Sequence, residues 1–289
     1  MSILVSINCI TYNHEEYIED AIESFLMQKT DFDFEIIIGE DCSLDGTRKI
    51  IDDYLIKYPN KIKLITSDKN VGAKENSRRV HENSNGKYIA LCEGDDYWTD
   101  PLKLQKQVTY MENNPNCTLC FHSADIVRAN KRKTGRITRP YSGSTVCRTE
   151  DIIIGGGSFC PTQSLMYPKK LMDNPPEFLT KVSVGDYPLQ ILASSYGYAY
   201  YIDEIMSSYR SGVKGSWTET SKTREKTLYH CEEIISMLDG FDEYSKYKFS
   251  KAIDKTKLQV RLYAKNYPSN AYIRLLSIKE RIREFIYSI

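Results

Sequence analysis

Nowhere in the 289 residues does an apolar run approach the roughly 18 residues that a membrane-crossing helix needs. The short apolar run at the N-terminus has no basic region before it, so neither a membrane span nor a signal peptide is expected. An excess of one charge is missing too: 39 Lys and Arg balance 39 Asp and Glu. A body without net positive charge gives no reason to expect nucleic acid as a partner. Histidine is scarce, with four residues at 14, 81, 122 and 230, which limits where an imidazole can act as base or ligand. Cysteine is plentiful but lacks a pattern. Cys117 and Cys120 form one CxxC with no partner pair, and Cys120 continues the apolar Leu119-Cys120-Phe121, so core packing outweighs zinc or redox work. Cys9 and Cys92 also fall in apolar runs. This usage points to a reducing compartment and a cytoplasmic location.

What is present fits an ordinary globular chain, 41% hydrophobic and 27% charged, large enough for one domain or one and a half. Charge is nevertheless uneven. From Lys246 onward eleven Lys and Arg face three Asp and Glu, a surplus of eight. Within that tail, 271–289 carries Leu275, Ile278, Ile282, Phe285 and Ile286 on one face and Arg274, Lys279, Arg281 and Arg283 elsewhere. The plainer reading is a helix packed on the body; the sharper one is a basic amphipathic helix on the inner face of an anionic membrane.

The organising stretch is Lys87-Tyr88-Ile89-Ala90-Leu91-Cys92-Glu93-Gly94-Asp95-Asp96-Tyr97-Trp98, an apolar run that stops at three acids around one glycine. The run reads as a buried strand with Glu93, Asp95 and Asp96 just past its carboxyl end. Ile3 to Ile10, Phe34 to Gly39 and Ile62 to Ile65 read as three earlier strands. Helical spacing separates them, beginning with Tyr17, Ile18, Ala21, Ile22, Phe25 and Leu26. Strand and helix alternate about every 30 residues, the signature of βαβ units and a parallel sheet. After Trp98, Asp100-Pro101 predicts a helix start and Thr118 to Val127 a further strand. Arg128 to Ser144 is basic and turn-rich and reads as irregular loop. A helix follows Gly185-Asp186, Tyr198 to Ile202 is a short strand, Tyr209 to Trp217 is irregular, and the chain from Thr218 is helical.

Carboxylates crowded at a strand end repel, and Mg²⁺ or Mn²⁺ relieves them by taking one or two protein oxygens and filling its shell from phosphate and water. Ligands of open α/β sheets bind at this edge. Four polar stretches stand at successive strand ends: Thr11-Tyr12-Asn13, Asp41 to Thr47, Asn70-Val71-Gly72, and Glu93-Gly94-Asp95-Asp96. In this order and spacing the chain resembles the nucleotide-sugar glycosyltransferases of family 2, which have the GT-A fold. The likeness is firm over about the first 110 residues and looser to Trp217.

The resemblance implies an α/β chain with a mostly parallel central sheet flanked by helices and a C-terminal helical extension. Residues 1–110 would bind the nucleotide sugar, 111–217 the acceptor, and 218–289 would be helical. Asp41 would read the nucleobase with backbone groups at Thr11 and Asn13, and Asn70 and Gly72 would form the turn beneath the nucleotide. Asp95 would bind a Mn²⁺ or Mg²⁺ bridging the two phosphates, while Glu93 holds the ribose or shares the metal. Asp186 would be the catalytic base, with a helix cap as its plainer role. Arg210 and Lys214 would neutralise the leaving diphosphate. Tyr97, Trp98 and Trp217 suit either sugar stacking or core.

Four departures from the family pattern stand out. Glu93 replaces an aspartate, Glu75 replaces an arginine whose role would pass to Lys74 or Arg78, Gly185 replaces an acid, and no histidine follows Tyr209-Arg210. The implied activity is inverting, metal-dependent transfer from a nucleotide-diphosphate sugar, most naturally a UDP-sugar, to a hydroxyl of a surface glycan or glycolipid precursor. A nucleotidyltransferase is the alternative enzyme, although Thr11-Tyr12-Asn13-His14-Glu15 is not the glycine-rich basic loop such enzymes carry. A non-catalytic nucleotide- or carbohydrate-binding scaffold is the alternative outside enzymes.

Overall fold

The computed structural model describes residues 3–180, 182–221 and 223–268. Its first part alternates as expected: β1 (Val5–Thr11), α1 (Ile18–Leu26), β2 (Phe34–Glu40), α2 (Thr47–Lys57), β3 (Ile62–Thr66), α3 (Ala73–Glu82) and β4 (Tyr88–Leu91). These strands run parallel in the order β3-β2-β1-β4. Parallel pairing places all four carboxyl ends on one edge, which is why polar stretches far apart in sequence meet there.

The second part contains β5 (Tyr97–Trp98), α4 (Lys103–Asn113), β6 (Cys117–Arg128), β7 (Lys133–Thr138), β8 (Thr145–Cys147), α5 (Thr149–Gly155), β9 (Met166–Pro168), α6 (Glu177–Thr180), α7 (Asp186–Ser195) and β10 (Tyr198–Ser211). Helices α8 (Trp217–Thr220), α9 (Arg224–Tyr244) and α10 (Ser250–Asn266) follow. From β4 the same sheet continues β9-β6-β10-β5, with β9 antiparallel to β4 and β6, β6 parallel to β10, and β5 antiparallel to β10.

Side chains on β1 show how the sheet divides two layers. Val5, Ile7 and Cys9 join one core with Phe25, Ile36, Ile38, Trp98 and Leu104. On the other face Ser6 Oγ accepts from the Gly86 amide (2.8 Å) and Asn8 Oδ1 accepts from Ser84 Oγ (2.9 Å), tying β1 to the end of α3. A second core gathers Leu119, Phe121, Ile152, Tyr187, Leu192 and Tyr201 with Met237, Phe241 and Ile253 of the C-terminal helices. Seven of the eight cysteines are buried and none is paired, in line with thiols used as packing.

Three segments differ from the sequence reading. Arg128 to Ser144 is irregular only in part: at its centre β7 pairs antiparallel with β6, Asp125 opposite Ile137 and Ile126 opposite Arg136. Its Lys and Arg side chains hide the strand pattern because β7 is exposed and keeps charge on a sheet edge. The strand expected from Tyr198 to Ile202 extends to Ser211 and so contains Tyr209 and Arg210. Register shifts at Ile202/Ile205 and Ile205/Ser207 interrupt its alternation. The regular helix after Trp98 begins at Lys103, one turn later than Pro101, although Asp100 Oδ1 accepts from the Leu102 amide (2.7 Å) as an N-cap residue before proline would. The expectation for 271–289 lies outside the described residues.

Lys103 is fully buried, its ammonium 3.8 Å from the centre of the Trp98 ring and without a hydrogen-bond partner. Burial pushes its pKa down to about 7. Between that value and the ordinary Lys value the unfolded chain holds the proton more tightly, so stability rises with pH across that interval. Lys103→Met should raise the unfolding free energy from denaturant titration by about 1–4 kcal/mol, and more at about pH 6 than at about pH 10. Equal gains at both would show that the ammonium carries no desolvation penalty.

Candidate active site

The loop after β1 is laced to the loop after β2. Asn13 stands at φ 55°, its amide donating to Ser43 Oγ (3.0 Å) and its side-chain oxygen accepting from Leu44 (2.8 Å). The His14 amide donates to Thr47 Oγ1 (2.8 Å), the Glu15 amide donates to Asp45 Oδ2 (3.1 Å), and the Glu15 carboxylate accepts from the Gly46 amide (2.9 Å). The Thr11 carbonyl accepts from the Asp41 amide (3.1 Å). Asn13 N–H and the Thr11 carbonyl are thus engaged within the protein, shaping the rim more directly than offering free groups to a base.

Asp41 is buried at the end of β2 and serves as no helix cap. Its Oδ1 accepts from the Val71 amide (2.8 Å) and its Oδ2 from the Gly72 amide (2.9 Å). Two stretches singled out separately are therefore one unit, the carboxylate holding the turn that starts α3. Gly72 has φ 87° and ψ 155°, and a Cβ there would meet nothing within 4 Å. Backbone conformation, not close approach, requires glycine here. Asn70 is exposed beside it.

The acidic loop leaves β4 and is pinned to β1, the Gly94 amide donating to the Ile10 carbonyl (3.0 Å). A Cβ on Gly94 would lie 2.6 Å from Thr11 Oγ1 and 3.0 Å from His14 Nδ1, so only glycine lets the acids sit this close to the strand end. Asp95 and Asp96 are buried, whereas Glu93 is exposed to the cleft. Surrounding protein, then the charges of Asp95 and Asp186, push the Glu93 carboxyl up to about 8. Burial and Asp95 raise Asp96 well above the usual range, against the Arg210 amide that donates to its Oδ1 (2.7 Å). Among the described residues no three acids, histidines or cysteines form a closed metal cage. The donor set is hard carboxylate oxygen under like-charge repulsion, which fits Mg²⁺ or Mn²⁺ held by Asp95 with Glu93 and completed by phosphate and water.

Arg210 does not stand where a diphosphate clamp would. Its guanidinium is fully buried, donating to the Asp95 carbonyl (2.7 Å) and to the Asp20 carboxylate, and lying 4.6 and 5.1 Å from the ring centres of Tyr97 and Tyr17. Its place on β10 puts it beneath the acidic loop, where it holds that loop. Lys214 is exposed in the connection after β10. The two cations expected to take over from the missing arginine at Glu75 are both occupied. Arg78 pairs with Glu75 and Glu82, while the Lys74 ammonium donates to the carbonyls of Thr180 and Val182. Trp98 is core: it meets Phe25 edge-on with ring centres 5.0 Å apart, and its Nε1 donates to the Gln163 carbonyl (2.8 Å).

Asp186 opens α7. Thr162 Oγ1 donates to its Oδ2 (3.1 Å) and its own helix's Tyr187 amide to its Oδ1 (2.8 Å). Burial raises its carboxyl despite these bonds, and its charge acts on Glu93. Two histidines join this neighbourhood unforeseen. His14 adjoins Thr11 (3.1 Å between Oγ1 and Nδ1) and feels Asp95, with burial lowering its pKa. His230, on α9, is lowered by burial against the charges of Glu233 and Asp186, and meets the exposed Trp217 ring edge-on, centres 4.7 Å apart. His14 was visible within a strand-end loop; nothing in the sequence around His230 distinguishes it from an ordinary helix residue.

The profile of Glycosyl transferase family 2 matches residues 6–168, more than half of the chain. The chain belongs to glycosyltransferase family 2. An uncharacterised Mycobacterium tuberculosis protein is 34% identical over 77% of this family 2 chain and 63% of its own length, so the chain spans somewhat under two thirds of that relative. A Bacillus subtilis protein named as a teichuronic acid biosynthesis glycosyltransferase, TuaG, is 28% identical over 80% of this chain and 88% of its own. S. aureus TarS 1-349, solved in complex with UDP-GlcNAc, superposes with TM-score 0.60 at 18% identity, covering 86% of this chain and 73% of that one. The mannosyltransferase PcManGT from Pyrobaculum calidifontis, solved with GDP-Man and Mn²⁺, gives TM-score 0.55 at 14% identity, covering 98% of this chain and 81% of that one. These structures share the GT-A fold.

Arg210→Met leaves the Asp20 carboxylate to Lys131 alone and the Asp95 carbonyl without its donor, and should destabilise the fold by roughly 1–3 kcal/mol, measured by chemical denaturation. A cost under about 1 kcal/mol would mean that the guanidinium does not hold the acidic loop.

Proposed function

We propose that this chain is an inverting glycosyltransferase that moves a sugar from a nucleotide-diphosphate sugar, UDP-linked, to a hydroxyl of a surface glycan or its lipid-linked precursor. The observation that carries this reading is the gathering of Asp41, Glu93 and Asp95 just past the carboxyl ends of the parallel strands β2 and β4, with Asp186 at the start of α7 near enough for its charge to act on Glu93. The names of the Bacillus relative and of the UDP-GlcNAc and GDP-Man complexes favour a sugar nucleotide as donor and a cell-surface polymer as acceptor.

In this reading Asp41 and the turn at Asn70 to Gly72 form the nucleoside end of the site, with Thr11 and Asn13 shaping its rim. Glu93 and Asp95 stand at the diphosphate. Asp186 takes the acceptor's hydroxyl proton while the acceptor oxygen attacks the anomeric carbon from the face opposite the diphosphate. The bond from that carbon to the diphosphate oxygen breaks, inverting the centre. Mn²⁺ or Mg²⁺ on Asp95, shared with Glu93, would supply positive charge to the departing diphosphate. A carboxyl raised by burial is a stronger base than an exposed one, which suits Asp186 to the proton transfer. Exposed Lys214 is the remaining cation proposed to meet the diphosphate; Arg210 supports from beneath.

Asp186→Asn should retain UDP binding by calorimetry and lose about 10²- to 10⁴-fold in transfer rate. Because the base works ionised, the wild-type rate should climb with pH through a pKa above the usual Asp range. Asp95→Asn should abolish the part of UDP affinity that depends on Mn²⁺. Transfer unaffected by Asp186→Asn, or metal-independent UDP binding unaffected by Asp95→Asn, would overturn the assignment.

A further inference from the structure

Helix α10 has one face in the protein and one in solvent. Ala252, Ile253 and Thr256 are buried against α9 and α5, and Thr256 Oγ1 donates to the Ile153 carbonyl (3.1 Å). Helical spacing puts Leu258 and Leu262 on the opposite side, 57% and 49% exposed. The same side carries exposed Lys251, Lys255, Arg261 and Lys265, with Asp254 as its one acid. Lys257 pairs with Asp239, but among the described residues none of these four cations forms an ion pair. An apolar strip flanked by cations over four turns is more than a scatter of surface leucines.

We infer that this outer face of α10 docks on an anionic lipid surface, the leucines entering the headgroup boundary and the Lys and Arg stems reaching phosphates beside them. Charge complementarity selects this occupant. The chain's own 269–289 segment has four cations against two acids, the same sign as the face it would have to cover. A second copy presenting the same face would also set cation against cation. An anionic bilayer suits both the face and the segment that follows it. The inference is independent of the glycosyl-transfer reading, since no residue of α10 is assigned to the cleft.

The test is co-sedimentation of the full chain with vesicles of phosphatidylcholine, with and without phosphatidylglycerol. Binding should require the anionic lipid and weaken with salt. Lys255→Gln with Arg261→Gln should lower vesicle affinity about fivefold per cation removed, and Leu258→Ser with Leu262→Ser should lower it further, with thermal unfolding and UDP affinity unchanged. Equal binding to neutral vesicles would overturn the inference. So would full binding by the α10 variants, which would assign the docking to 269–289. Lipid-free self-association abolished by the same substitutions would make a second copy the occupant instead, and anionic-vesicle binding seen only after removal of 269–289 would make that segment the occupant.

Discussion

Glu93, Asp95 and Asp96 stand within four residues and repel one another, and the fold contains this repulsion by running a cation underneath them. Arg210 reaches the Asp95 carbonyl and the Asp20 carboxylate from β10, and its backbone amide serves Asp96. The guanidinium is sandwiched by Tyr17 and Tyr97, so the charge is held in place rather than left mobile. Planar, delocalised and always protonated, arginine suits this burial in a way lysine would not. Without that support the loop would have to spread its acids into solvent, and the concentration of negative charge at the strand ends would be lost.

The sheet supplies the second constraint. Parallel order β3-β2-β1-β4 brings the ends of four strands together, and the loops are then stitched crosswise. Asp41 holds the Val71–Gly72 turn, Asn13 joins Ser43 and Leu44, and Gly94 is hung from Ile10. Few of these polar groups are left free, so the rim has little freedom to rearrange. Away from this rim the start of α7 is held by Thr162, and the exposed Trp217 ring rests edge-on against His230 of the long helix α9.

Much of the first half was legible because burial and periodicity coincide there. Strands β1 to β4 are apolar runs closed by polar loops, and each loop carries the residue types that hard-ion or nucleotide chemistry needs. Legibility faded where tertiary contacts replaced pattern. Strand β7 is exposed and basic, so its alternation is invisible. The bulges at Ile202 to Ser207 split β10 and made Tyr209 and Arg210 read as loop. Arg210 itself was recognisable as important but not in its role, since a guanidinium looks the same in sequence whether it clamps a ligand or supports a loop.

The sequence by itself determined the alternation of elements, the family, and which acids gather at strand ends, because hydrophobic period and residue type are local properties of the chain. Only the tertiary structure decided that Asp41 and Gly72 are one unit, that the Arg210 guanidinium is buried between the Asp95 carbonyl and the Asp20 carboxylate, that Trp98 is core, and that His230 meets the Trp217 ring. Each of these depends on which distant backbone segments share a layer, and pairing between strands and packing of helices, not spacing along the polymer, sets those distances.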